Sequence, residues 1–140
     1  GSPAWRMDMD LTEEAQRILI ELSRREAPSE ACGILSQDTI RLMKNVSPTP
    51  SRAFICAGVG KTVLHNKNGY LTDTLQGYAI WHSHPGSRAV PTPEDIDLMR
   101  ETLVPMIIVS LLPTVPEVAI FALDEHNDER VCCIKTYRPN

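Results

Sequence analysis

Leu11, Ala15, Ile18, Leu19 and Leu22 recur at helical spacing near the start of the chain, which predicts an amphipathic helix. Thr12 with Glu13 and Glu14 suits its N-terminus, and Pro28 lies past its end, so it spans roughly three turns. The period then shortens. Residues 31–35 and 40–43 are short apolar runs separated by Ser36, Gln37 and Asp38, the pattern of a hairpin. A third strand candidate covers 52–57, after a loop that holds Pro48 and Pro50. Residues 58–73 carry the weakest pattern, and a short helix around 61–66 is the reading adopted there.

Farther on, 77–84 reads as a strong strand carrying Tyr78, Ile80 and Trp81. A loop follows, and then a helix of about ten residues from Pro93. Residues 106–112 form a nearly continuous apolar run centred on Ile107, Ile108 and Val109, as expected of a strand buried on both faces. A last hairpin joins 118–123 to 131–137 around the polar residues 124–128. A helix, a β-rich block, a second helix and further strands predict an α/β sandwich around one mixed sheet.

The 140 residues suit one domain, taken to run over 7–140. Gly1 and Ser2 look like a cloning scar, so 1–6 are set aside as a tag remnant or disordered start, with Met7 or Met9 as candidate native starts. A hydrophobic share of 42% with 23% charged residues argues against disorder. A formal charge of −4 without a Lys/Arg run argues against a nucleic-acid partner. The apolar stretch 104–118 is broken by Pro105, Pro113 and Pro116, so no membrane-spanning helix is expected. Cys32, Cys56, Cys132 and Cys133 include no C-x-x-C pair, and all four read as reduced thiols of a cytoplasmic protein.

His82 and His84 stand two apart on the predicted strand, so both imidazoles leave the same face. Cα atoms about 6–7 Å apart allow two ring nitrogens to close on one ion. Taken alone, such a pair is more often two ordinary polar or core histidines. A cupin-type site would need an acid three or four residues on, where Ser87 and Arg88 stand instead. Pro91-Thr92-Pro93-Glu94-Asp95 is a helix start, with Thr92 as N-cap, Pro93 at the first position and Asp95 at the third. In isolation Asp95 is a capping-box carboxylate. Ten residues separate it from His84, enough for a loop to return the helix terminus beside the histidines. Three such ligands leave a fourth tetrahedral position open, as a catalytic zinc requires.

His82-Ser83-His84-Pro85, the downstream Thr92-x-x-Asp95, and Glu30 within Ser29-Glu30-Ala31-Cys32-Gly33-Ile34-Leu35 together resemble the motif of the JAMM (MPN-plus) metalloprotease family, in its compact bacterial form. The resemblance runs from the first helix to the final strands. It implies a cytidine-deaminase-like α/β sandwich with one zinc ion per chain. It also implies hydrolysis of peptide or isopeptide bonds after the C-terminal glycines of ubiquitin-like proteins. By position, His82, His84 and Asp95 match the zinc ligands, and Glu30 matches the glutamate that hydrogen-bonds the activated water. Thr92 stands where the family usually has serine. Zinc would then polarise the scissile carbonyl, Glu30 would carry the proton to the leaving amine, and the Thr92 hydroxyl would donate to the developing oxyanion. Glu26 and Glu94 are next in line as base. Ser83 and Trp81 point to the opposite face, Trp81 as core, while His65 and His126 sit in polar loops as surface histidines.

Two substrates compete within that resemblance. One is a small ubiquitin-like or sulfur-carrier protein with a glycine-ended tail; the other is ubiquitin itself, cut by deubiquitinating isopeptidases that often carry two insertions. Only seven residues separate Asp95 from Leu103, which favours the first. A non-catalytic MPN scaffold is the reading from another class, but it would have lost ligand positions that are all present here. Small residues in the loop after the strand, Gly86, Ser87 and Ala89, predict a narrow approach for an extended tail.

Overall fold

One seven-stranded sheet organises the computed structural model, which describes residues 9–70, 78–124, 126–127 and 130–139. Helix α1 (Glu13–Glu26) leads into β1 (Cys32–Leu35), β2 (Thr39–Asn45), β3 (Cys56–His65) and β4 (Ala79–His84). Helix α2 (Pro93–Thr102) follows, then β5 (Met106–Ser110), β6 (Glu117–Leu123) and β7 (Val131–Tyr137). The spatial order is β3-β2-β1-β4-β5-β6-β7. Only the β4–β5 pair is parallel, with α2 as its crossover; the other neighbours run antiparallel. The expected α/β sandwich around one mixed sheet is the observed architecture.

Each helix covers one face. Thr12 caps α1 by accepting from Ala15 N at 3.1 Å, and acids in the first turn with Arg24 and Arg25 in the last complement the helix dipole. Its buried residues Ala15, Leu19 and Leu22 belong to a core with Trp81, Ile107 and Val109. On the other face Met99 of α2 packs with Met106, Ile108 and Phe121. Strand β5 is buried along its whole length because its side chains alternate between these two cores.

Two expectations fail in the region after β2. Residues 61–66 are not a helix, since β3 runs to His65 and pairs with β2 in the register Ile40↔Leu64 and Arg41↔Val63. The backbone hydrogen bonds offered by β2 override a weak local pattern. Residues 52–55 are loop rather than strand, because β3 begins only at Cys56. Residues 1–6 and the 71–73 end of the weakly patterned segment lie outside the described residues. No helix among the described residues is long and apolar enough to cross a membrane.

Gly33 admits a contact across three strands. Trp81 Nε1 of β4 donates to the Arg41 carbonyl of β2 at 3.1 Å, passing over β1 at Gly33. A Cβ on Gly33 would stand 1.8 Å from that carbonyl oxygen and 2.7 Å from the indole nitrogen. Neither the backbone nor the fully buried Trp81 can give way freely. Gly33→Ala should therefore destabilise the fold by about 3 kcal/mol or more, read as a lowered denaturant midpoint. A midpoint equal to that of the wild type would show that the strands part without cost.

Candidate metal centre

His82 and His84 close β4 on the face that α2 covers, and both are buried, at 0% and 4% exposure. Helix α2 starts beside them with a complete capping box. Thr92 Oγ1 accepts from Asp95 N at 3.2 Å, and Asp95 Oδ2 accepts from Thr92 N at 2.9 Å. The same carboxylate faces the histidines, with Oδ1 3.2 Å from His82 Nε2 and Oδ2 3.6 Å from His84 Nε2. Capping residue and site residue, which were alternatives for Asp95 in the sequence, are one residue acting in both ways.

The opposite ring nitrogens are tied off. His84 Nδ1 lies 2.7 Å from the Arg88 carbonyl, a pure acceptor, so Nδ1 carries the proton and Nε2 is left as a lone-pair donor. His82 Nδ1 lies 3.3 Å from Glu30 Oε1, which favours the same tautomer. His82 Nε2 is buried without a hydrogen-bond partner among the described residues, and Asp95 Oδ1 stands 3.2 Å from it. An orphaned imidazole nitrogen beside a second imidazole and a carboxylate is a donor set that fits a divalent cation such as zinc. Glu30, His82 and His84 offer ligand atoms that all lie within 4.8 Å of one another, a buried group able to hold a metal ion.

Glu30 reaches this site from the turn before β1. Its N–H donates to the Pro50 carbonyl at 2.6 Å, and the next residue, Ala31, donates to Ser83 Oγ at 2.7 Å. Ser83, on the far face of β4, thus anchors the segment that carries Glu30. Phe54 was not singled out by the sequence, yet its ring stacks on His82 at 4.2 Å between centroids. Nothing local marks it, because the contact is made by a loop folding back on β4.

A cleft of about 510 Å³ opens over the group and is lined by Glu30, Phe54, His84, Thr92, Asp95 and Leu98, among others. Glu94 also faces this cleft, whereas His65 and His126 are exposed elsewhere. Its walls do not come from the small-residue loop after β4, contrary to expectation. That loop is drawn back instead: Arg88 holds His84, Ser110 Oγ donates to the Ser87 carbonyl at 2.6 Å, and Ala89 is buried. Gly86 faces open space. The loop fixes a histidine and leaves the cleft to be shaped by the segment before β3 and by α2.

The family model for prokaryotic homologs of the JAB domain matches residues 12–124, from the N-cap of α1 past the end of β6. The match includes Glu30, His82, His84, Thr92 and Asp95. No curated protein matches the chain.

Electrostatics make the metal-free centre a proton trap. Burial pulls the His82 imidazolium down, but the Asp95 and Glu30 carboxylates beside it outweigh burial and raise it to about 9. Burial pushes Asp95 up, yet the two imidazoles and the Thr92 N–H hold it well below the usual carboxylate range. A raised histidine stabilises the fold fully below its unfolded value near 6.5 and loses that contribution as pH climbs through about 9. A lowered aspartate acts in the other sense, stabilising above its unfolded value near 3.8 and failing in acid. The metal-free protein should therefore be most stable between these two unfolded values and weaken on either side, by about 3 kcal/mol at most on the alkaline side. Denaturation midpoints against pH read this, and His82→Gln should flatten the alkaline slope. Zinc uptake at pH 7 should also release a proton from His82, measurable by titration calorimetry in buffers of different ionisation enthalpy. Uptake without buffer dependence would contradict the assignment.

Proposed function

The chain belongs to the family of prokaryotic JAB-domain (JAMM/MPN) proteins, and from that premise we propose that it is a zinc-dependent peptidase or isopeptidase. We propose as its substrate the bond after the C-terminal glycines of a ubiquitin-like or sulfur-carrier protein. One observation carries this reading: two Nε2 atoms converge on the Asp95 carboxylate while both Nδ1 atoms are engaged elsewhere. His82, His84 and Asp95 would hold the ion. Glu30 is not counted as a ligand, because its oxygen meets the Nδ1 edge of His82 and not the Nε2 edge.

Bound there, zinc supplies Lewis acidity toward a scissile carbonyl and toward water. The rest is the work of side chains. Glu30 Oε1 takes the proton of the attacking water and returns it to the leaving amine. Its burial beside His82 keeps bulk water from competing for that proton. Thr92 Oγ1 spends acceptor capacity on the helix cap, which leaves its hydroxyl proton free to donate to the developing oxyanion. A second hollow of about 370 Å³ shares Phe54, Ile55 and Leu98 with the main cleft and adds Ile34, Met43 and Ile80. A trough that turns apolar away from the ligands suits an extended tail with glycines at the chemistry and larger residues behind them.

The purified protein should hold about one zinc per chain, lost in His82→Ala and His84→Ala; unchanged metal content in both would remove the site. Glu30→Gln should retain the metal and lose several orders of magnitude in turnover, since it keeps shape without accepting a proton. Thr92→Ala should cost on the order of 10²–10³ in rate, and Thr92→Ser should be near neutral. A wild-type rate in Glu30→Gln would mean that the base lies elsewhere, with Glu26 and Glu94 next in line and Glu94 among the acids that line the cleft.

Substrate choice has its own test. Ubiquitin-like proteins carrying C-terminal extensions should be cut in a chelator-sensitive manner. Leucine in place of either tail glycine should block cleavage far more than changes past the scissile bond. Equal cutting of the leucine tails would reduce the reading to a zinc peptidase of other preference.

A further inference from the structure

We propose that Asn45 is a positioning residue, which fixes through one side-chain amide both the backbone of Glu30 and the loop that lays Phe54 on His82. The inference rests on the role proposed above for Glu30. Asn45 is the last residue of β2, and its side-chain hydrogen bonds run to backbone atoms of Glu30, Ser47, Pro50, Ala53 and Ile55.

Its amide joins three pieces of backbone. Nδ2 donates to the Glu30 carbonyl at 3.0 Å, to the Ala53 carbonyl at 3.0 Å and, more weakly, to the Pro50 carbonyl at 3.3 Å. Oδ1 accepts from Ser47 N at 3.0 Å and from Ile55 N at 3.1 Å. The orientation follows from chemistry. Three carbonyl oxygens surround one end and two N–H groups the other, so the reverse arrangement would set oxygen against oxygen. Side chains of any other type lack this pairing of two donors with an acceptor in so short a reach.

The consequence lies at His82. Glu30 meets the Nδ1 edge of that ring and Phe54 its face, and both hang from the segment that Asn45 organises. The Glu30 N–H to Pro50 contact closes the same unit from the other side. The metal ligands stand on β4 and α2, outside it. Loss of the amide should thus displace the base and one wall of the cleft while leaving the ligands in place. A misplacement of about 1 Å can cost on the order of 10² in rate.

The test uses the full chain with Asn45→Asp, which keeps the shape and removes both N–H donors, and with Asn45→Ala. Each variant should still bind about one zinc, with affinity within about tenfold of wild type, the low end for residues that support a metal site indirectly. Turnover on a glycine-ended tail should fall on the order of 10²-fold. Hydrogen exchange on the metal-free protein gives a readout independent of activity: the amides of Glu30 and of 46–55, apart from Pro48 and Pro50, should exchange at least about tenfold faster in the variants. In the wild type, the Ser47 and Ile55 amides should exchange far more slowly than free loop, and this needs no variant to fold. Free-loop rates there, unchanged exchange in Asn45→Asp, wild-type turnover, or metal and turnover lost together would each overturn the positioning role. A wild type inactive on every tail would instead overturn the functional reading, and the exchange data would still decide the role of Asn45.

Discussion

The Asp95 carboxylate is shared between a helix cap and a pair of imidazoles, and the remainder of the centre is arranged around that sharing. Oδ2 satisfies the Thr92 N–H, an orphan donor that every helix start must place somewhere, while both oxygens face His82 and His84. The helix N-terminus carries partial positive charge, so a buried carboxylate is tolerable there as it would not be in the middle of a sheet. Two imidazoles on the other side add to the same effect and depress its protonation further. Start of helix and end of strand therefore define each other's position. The connection that makes this possible is the parallel β4–α2–β5 unit, which puts a helix terminus over the carboxyl end of a strand, the usual place for a site in such sheets.

Burial of so much polarity in an apolar interior requires that nearly every atom have a partner. Ser83 binds the Ala31 N–H, Ser110 the Ser87 carbonyl, and Arg88 the second histidine, each turning a loop or turn into a fixed support. Asn45 does the same for the approach to β3. Against that background His82 Nε2, buried without a hydrogen-bond partner among the described residues, stands out as an atom that a bound cation would satisfy. Rigidity comes from behind. His82 and His84 rise from a strand paired on both sides, above a layer in which Trp81 bonds across Gly33. A site on such a platform holds its geometry because the platform cannot rearrange without opening the core.

Local chemistry made much of this legible. Thr12 and Thr92 with their following acids and Pro93 announced two helix starts, because capping is settled within four residues. The apolar run at 106–112 announced a strand covered on both sides, observed over Met106–Ser110, and the two-residue spacing of His82 and His84 announced one face. The motif linking Glu30, the histidines, Thr92 and Asp95 carried the family. Its residues do gather: Glu30, His84, Thr92 and Asp95 line one cleft, with His82 beneath.

What the chain alone determined was thus the elements outside 52–66, their faces and the residue types brought to one end of the sheet. Periodicity and capping act over a few residues and leave their mark in order. Only the tertiary structure decided that β3 would extend to His65, since its hydrogen bonds come from β2 and not from its own pattern. The same holds for which ring nitrogen is free, for Phe54 on His82, for Asn45 as a junction of three segments, and for the loop after β4 turning away from the cleft. Each of these depends on a contact between residues distant in sequence, where the energy lies in geometry that no local pattern records.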